Sequence, residues 1–270
     1  MPTRTPLAVG RTAEVFAWND DQVLKLFRPG WGIANAAHEA EVARALYAAG
    51  VPMPRVDDVI EVDCRAGVVY ERISGPSLLA ILRAHPQQLR PVARMMAETH
   101  ARMHERSITG LPRLREVLAR RIQAAPCLPT AHTHAALDAL DALPDGDALC
   151  HGDYHPDNVL LSARGPLIID WENAALGDPL ADVARTLLLI RAGAVQTTSP
   201  AMRVPMRALT AVLNRFYLRR YRQLHPYAPE RLAAWELPVT AARLSEGVEV
   251  EEAYLLARIR RLVRSATSRI

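Results

Sequence analysis

Apolar and polar positions alternate most clearly in the amino-terminal quarter of the chain. Glu14-Val15-Phe16-Ala17-Trp18 and Gln22-Val23-Leu24-Lys25-Leu26-Phe27 have the period of strands, and Asn19-Asp20-Asp21 between them has turn chemistry. The pattern then predicts a helix over 33–49 that stops at Gly50, with Pro52 and Pro54 beyond it as terminators. Val59-Ile60-Glu61-Val62 and Gly67-Val68-Val69-Tyr70-Glu71 follow as two further strands. Behind Arg72-Ile73-Ser74-Gly75-Pro76 the period becomes helical, so the chain is expected to divide into lobes 1–74 and 75–270. A helix over 91–106 carries Val92, Met95, Met96, Thr99 and Met103 on one stripe. Another opens at Gly177-Asp178-Pro179, with Asp178 as N-cap and Pro179 at the first helical position. Three more are expected near 205–224, 229–244 and 248–263, and a short surface helix near 135–143.

One stretch of the second lobe breaks this helical reading. Val159-Leu160-Leu161 and Leu167-Ile168-Ile169 are short apolar strands, and Ser162-Ala163-Arg164-Gly165-Pro166 between them is a turn. A tight hairpin brings Asn158, just before the first strand, close to Asp170, just after the second. An amide oxygen and a carboxylate so placed can hold Mg²⁺, a hard cation that takes oxygen ligands and keeps phosphates as partners. Asp153, within His151-Gly152-Asp153-Tyr154-His155, stands one short loop away, free to orient a substrate hydroxyl. That is the layout phosphoryl transfer needs.

Lys25 is the single lysine among 33 basic residues. It lies mid-strand between Val23, Leu24, Leu26 and Phe27, where a charge is costly unless paired. Fourteen residues on, Glu39 shares a helix face with Val42 and Leu46, whereas Glu41 faces away. An inward Glu39 on the helix and an inward Lys25 on the strand are expected to pair, an arrangement that aims a lysine at nucleotide phosphates.

Composition narrows the partners. Half the residues are apolar and under a quarter are charged, as in soluble globular proteins. A net charge of +4 over 270 residues gives little reason to expect a nucleic-acid partner. The run around Leu187-Leu188-Leu189-Ile190 is too short to cross a bilayer, and the segment from Met1 to Pro6 lacks the apolar core of a signal peptide. No membrane partner and a cytoplasmic location are therefore expected. Cys64, Cys127 and Cys150 are widely spaced and read as reduced core thiols.

His151-Gly152-Asp153 with Asn158, followed by Ile169-Asp170-Trp171-Glu172, resembles the signature of the aminoglycoside phosphotransferase and choline kinase superfamily. Lys25, the hinge-like Tyr70 to Gly75 and His100-Ala101-Arg102-Met103-His104 extend the resemblance over nearly the whole chain. It implies an α+β, protein-kinase-like bilobal fold with a small β-rich first lobe and a mainly helical second lobe. It implies an ATP- and Mg²⁺-dependent phosphotransferase acting on a hydroxyl of a small molecule, aminoglycoside-like or an amino alcohol. Asp153 would be the catalytic acid/base, and Asn158 and Asp170 the Mg²⁺ ligands. Lys25 and Glu39 would serve the nucleotide phosphates, Gly10, Arg11 and Thr12 would form a reduced phosphate loop, and backbone groups near Glu71 and Ile73 would take adenine. Asp182 resembles the family's buried aspartate that bonds the catalytic-loop backbone, and Glu172 has the best claim among acidic residues to touch the acceptor. Trp171 without a following glycine, and the short segment up to Asp178, disfavour a protein kinase. The alternative is a kinase fold that holds nucleotide with little or no turnover.

The remaining polar clusters have plainer readings. His100/His104 lacks the Glu that a zinc hydrolase carries after the first His, since Ala101 stands there. These histidines and His151 are expected to brace the core or the loop, and His155 to support the catalytic loop. Arg219, Arg220, Arg222, Arg258, Arg260, Arg261 and Arg264 are expected on solvated helix faces. Tyr217, Tyr221, Trp235 and Tyr254 could hold a cationic head but read mainly as packing aromatics.

Overall fold

A computed structural model of the chain describes residues 5–195 and 200–267, so the Met1–Arg4 part of the amino-terminal segment lies outside the described residues. The strands are β1 (Ala8–Val9), β2 (Ala13–Ala17), β3 (Gln22–Phe27), β4 (Val56–Val62), β5 (Arg65–Glu71), β6 (Ala148–Cys150), β7 (Val159–Ser162), β8 (Gly165–Ile168) and β9 (Ala175–Gly177). The helices are α1 (Ile33–Ala48), α2 (Leu78–Ala84), α3 (Leu89–His104), α4 (Leu114–Gln123), α5 (Thr130–Asp141), α6 (Pro179–Val195), α7 (Pro200–Leu224), α8 (Pro229–Ala234), α9 (Glu236–Arg243) and α10 (Glu249–Thr267). The fold class is the expected α+β, and no described helix is long and apolar enough to cross a membrane.

The chain forms two compact units, 1–84 with 156–172, and 85–155 with 173–270. The first contains an antiparallel sheet of order β1-β2-β3-β5-β4. Leu24, Leu26 and Val69 are buried on one face, under Phe16, Trp18, Ile60 and Val62. Period two along β3 sends Lys25 to the opposite face. Helix α1 buries Ala36, Ala40, Ala43 and Leu46. It ends where the sequence placed its stop, at Gly50, whose φ of +75° favours glycine. The sequence division after residue 74 falls inside this unit, because the β7–β8 hairpin is tied to the segment behind it. The Leu161 N–H donates to the Pro76 carbonyl at 2.9 Å, and Ser77 bridges to Leu160. Gly75 is required there, since a Cβ would lie 1.9 Å from the Leu161 carbonyl oxygen.

The second unit is helical apart from the β6–β9 ladder. Asp178 caps α6 as expected, its Oδ1 accepting the Leu180 N–H at 2.8 Å. The helix expected over 229–244 is two helices, broken at Trp235. Pro238 explains the break: it has no N–H for the Ala234 carbonyl, and its ring crowds that carbonyl. Helices α2 and α4 are additional to those the sequence pattern marked out. The cysteines need a correction. Only Cys150 is buried, whereas Cys64 and Cys127 are exposed. Cys64 sits in the turn between β4 and β5 with φ of +59°, a turn position rather than a core one.

Candidate active site

In the first unit, Lys25 gathers the acidic residues around it. Its Nζ lies 3.1 Å from Glu39, 3.1 Å from Asp170 and 2.7 Å from Glu172. Glu39, at the inner face of α1, also accepts the Tyr70 hydroxyl at 2.6 Å, while Glu41 is exposed. Burial alone would lower the Lys25 pKa, but the charges of Asp170, Glu39 and Glu172 outweigh it and hold the ammonium well above its usual range. Burial pushes Glu39 up, against the opposing pull of Lys25 and Tyr70. Three carboxylates against one ammonium leave an excess of two negative charges.

The hairpin has the expected register, with Val159 opposite Ile168 and Ser162 opposite Gly165. The Ile169 N–H donates to the Asn158 carbonyl at 3.0 Å, so Asn158 and Asp170 flank the same end of the hairpin. Asp170 has φ of +67°, a left-handed conformation that Asp tolerates better than most residues. The hairpin thus offers an amide oxygen and a carboxylate beside an excess of negative charge. This hard, oxygen-only donor set fits Mg²⁺.

Gly10, Arg11 and Thr12 form the turn between β1 and β2. The Gly10 N–H donates to Ala13 O at 2.9 Å, and Arg28 holds the Gly10 carbonyl at 3.1 Å. Thr12 Oγ1 donates to Glu172 at 3.0 Å. Glu172 therefore sits with Lys25 and Thr12 on the side expected to serve phosphates. At the hinge, the Glu71 N–H already donates to Arg55 O at 2.9 Å, and the Ile73 carbonyl accepts the Gly75 N–H at 3.1 Å. The Glu71 carboxylate is occupied by Arg164 at 2.5 Å.

Asp153 belongs to the second unit. His155 Nε2 stands 3.6 Å from it and Arg185 3.5 Å. Burial would raise its pKa, but the hydrogen bond from His155 and the charges of Arg185, His155 and His151 hold the carboxyl well below the usual range. The loop is braced from below by Asp182, which accepts the His151 N–H at 2.6 Å and the Gly152 N–H at 2.9 Å. Gly152 has φ of +75°, and a Cβ there would lie 2.6 Å from the Asn173 carbonyl oxygen.

Asp182 is itself held by two histidines. His100 Nε2 lies 3.0 Å from it and His104 Nε2 3.4 Å, while Tyr217 and Tyr221 hydroxyls meet the opposite ring nitrogens at 2.6 and 2.7 Å. Burial and the neighbouring His104 push the His100 pKa down to about 3. A neutral ring donates from Nε2 to Asp182 and accepts a tyrosine hydroxyl at Nδ1, so hydrogen bonds satisfy this His–His–Asp cluster. Tyr217, Tyr221 and Trp235 are buried packing groups, away from any role at an exposed pocket.

Sequence reasoning placed Tyr70 in the hinge but missed its bond to Glu39, and it missed the arginines around Asp153. Arg185 lies three residues after Asp182, on the same helix face, and that spacing was the available signal. Arg258 is a correction: it is largely covered and pairs with Glu236 at 2.6 Å instead of facing solvent. Glu251 is fully buried against Arg243.

A family model described as the phosphotransferase enzyme family matches residues 3–235. A curated relative, acyl-CoA dehydrogenase family member 10 of Mus musculus, is 25% identical over 202 residues, 63% of this chain. The match spans only 18% of that relative's length. Among solved structures, a thermostable mutant of the aminoglycoside phosphotransferase APH(4)-Ia aligns with a TM-score of 0.69 at 20% identity, covering 98% of this chain and 95% of that one. A choline/ethanolamine kinase family protein from Mesorhizobium loti gives 0.63 at 20% identity, covering 96% and 87%. An aminoglycoside phosphotransferase from Streptomyces rimosus, in complex with ADP and streptomycin, gives 0.59 at 19% identity, covering 88% and 91%. At these identities the structures establish a shared kinase-like fold.

Proposed function

The chain belongs to the phosphotransferase enzyme family, and from that premise we propose that it moves the γ-phosphoryl group of ATP to a hydroxyl of a small molecule. The observation that carries this reading is the Lys25 cluster, in which one ammonium is shared by Glu39, Asp170 and Glu172. A buried structural ion pair needs one partner. An ammonium surrounded by three carboxylates, two of them on a segment that also offers Asn158, is arranged for phosphates and a divalent cation.

Lys25, oriented by Glu39, takes the α/β-phosphates, and Thr12 and Gly10 line the turn beside them. Asn158 and Asp170 would hold Mg²⁺, which when bound neutralises charge on the phosphates. Asp153 orients the acceptor hydroxyl. As the bond from the γ-phosphorus to the bridging oxygen of ADP breaks, the acceptor oxygen bonds to phosphorus and its proton passes to Asp153. A carboxyl held so far below its usual range is a weak base, so it takes the proton late, when the hydroxyl has become acidic. The Tyr70 hydroxyl keeps Glu39 in place.

The test is Mg²⁺-dependent ADP production over a panel of hydroxyl compounds. Asp153→Asn should lower kcat by roughly 10²- to 10⁴-fold, the usual contribution of a positioned acid/base, while calorimetry shows Mg-ATP binding kept within a few-fold. A variant as active as the native chain would remove Asp153 from the mechanism. A native chain that binds Mg-ATP and phosphorylates no hydroxyl would instead be a nucleotide-holding module.

A further inference from the structure

Resting on that reading of Asp153, we propose that the acceptor carries an anionic group, a carboxylate or a phosphate, which Arg121 binds beside the catalytic loop. Three guanidiniums converge there in the second unit. Arg185, almost fully buried, donates to the Gly152 carbonyl at 3.0 Å, reaches Asp153 at 3.5 Å and pairs with Glu246 at 2.5 Å. Arg243 is taken up by Glu251, through Nε at 2.8 Å and Nη2 at 2.9 Å, and by Glu246. Arg121 is bound differently. Its hydrogen bond goes to the neutral Asn173 side chain at 2.6 Å, and its carboxylate contact, to Glu246, is long at 3.7 Å.

Three guanidiniums therefore meet three carboxylates, Glu246, Glu251 and Asp153, and of the three Arg121 has the weakest carboxylate pairing. Burial and the charge of Arg185 push its pKa down, against the opposing pull of Glu246 and Asp153. Yet its side chain is 28% exposed, the most accessible of the three. Arg121 and Arg185 line one small cavity with Gly152, Asn173 and Asp182, whose carboxylate is taken up by the His151 and Gly152 N–H groups, against an apolar wall that includes Leu114 and Val239. Because Arg185 touches both this cavity and Asp153, a group bound at Arg121 is one guanidinium away from the carboxylate that receives the hydroxyl proton. A planar fork of donors suits a carboxylate or phosphate, and a like-charged ammonium on the acceptor is repelled at the same place. An aminoglycoside-like or amino-alcohol acceptor, as the resemblance implies, would bring an ammonium group against Arg121. A short hydroxy acid or hydroxyalkyl phosphate meets the chemistry present.

The experiment measures ADP release by the full chain with matched acceptors: hydroxycarboxylic acids and their amides, hydroxyalkyl phosphates and the corresponding diols, amino alcohols, and aminoglycosides. The anionic member of a pair should have at least tenfold higher kcat/KM than its neutral partner, and the carboxylate and phosphate arms identify which anion is used. Arg121→Met should raise KM for the anionic acceptor by roughly 10- to 100-fold, the range of a lost charge-assisted hydrogen bond, with kcat changed far less. Arg121→Lys should recover part of the loss, and thermal unfolding of both variants separates this effect from misfolding. Preference for neutral or cationic acceptors, or an equal KM effect of Arg121→Met on anionic and neutral partners, overturns the inference and leaves the phosphotransferase reading standing. No ADP release with any class counts against that reading itself, and the inference falls with it.

Discussion

Lys25 illustrates how a single side chain is fixed by its surroundings. Its stem leaves the sheet on the face opposite Leu24 and Leu26, and its ammonium is compact enough to meet three carboxylates at 2.7–3.1 Å. A guanidinium is wider and planar, which explains why the position is lysine in a chain whose other basic residues are arginine. His100 yields a prediction at the same scale. Its pKa falls from the usual 6.5 to about 3 in the folded chain, so between those pH values the unfolded chain binds a proton that the folded one does not. Stability from this neutral histidine is thus complete above about pH 6.5 and is lost as pH falls toward 3, by at most about 1.4 kcal/mol per pH unit. Urea midpoints measured at pH 7 and pH 5 should show a larger acid loss for the native chain than for His100→Gln. Equal losses in the two proteins would mean His100 does not titrate this way.

At the scale of elements, the catalytic loop depends on a backbone that only glycine accommodates. Gly152 combines φ of +75° with a Cβ position 2.6 Å from Asn173 O, and its N–H is one of the two that bind Asp182. Gly152→Ala should destabilise the protein by about 1–3 kcal/mol and lower kcat at least tenfold, more than it changes KM for ATP. Gly193, inside α6 with nothing within 4 Å of its Cβ position, is the control. Gly193→Ala should stabilise by up to about 1 kcal/mol with activity unchanged. Denaturation and steady-state kinetics on both variants check this. The hairpin was legible because two short apolar runs and the Gly-Pro turn between them fix its register locally. The break at Trp235 was written in Pro238 but outweighed by the apolar stripe around it.

At the scale of the molecule, the first unit is assembled from two separate stretches of chain, 1–84 and 156–172. A fragment of residues 1–84 lacks Asp170 and Glu172, which supply two of the three carboxylates around Lys25, and Leu161, the partner of Pro76. Such a fragment should show no cooperative thermal transition by circular dichroism. A sharp, two-state melt would show that the sheet and α1 are sufficient without the hairpin.

The sequence by itself determined most of the elements and which residues are candidates for the site, because strand periodicity, helix stops and turn residues act over a few neighbours. Lys25 with Glu39 was legible for the same reason: a lone charge in an apolar strand demands a partner, and helix periodicity singles out one of two glutamates. Only the tertiary structure decided what lies between distant segments. It drew Glu172 to Lys25 and Thr12, set His100 and His104 around Asp182, and gathered Arg121, Arg185 and Arg243 beside Asp153. None of these pairings is fixed locally, since each joins a strand, turn, loop or helix residue to partners far away in the chain. Which arginine faces solvent and which faces a carboxylate is settled only when helices pack.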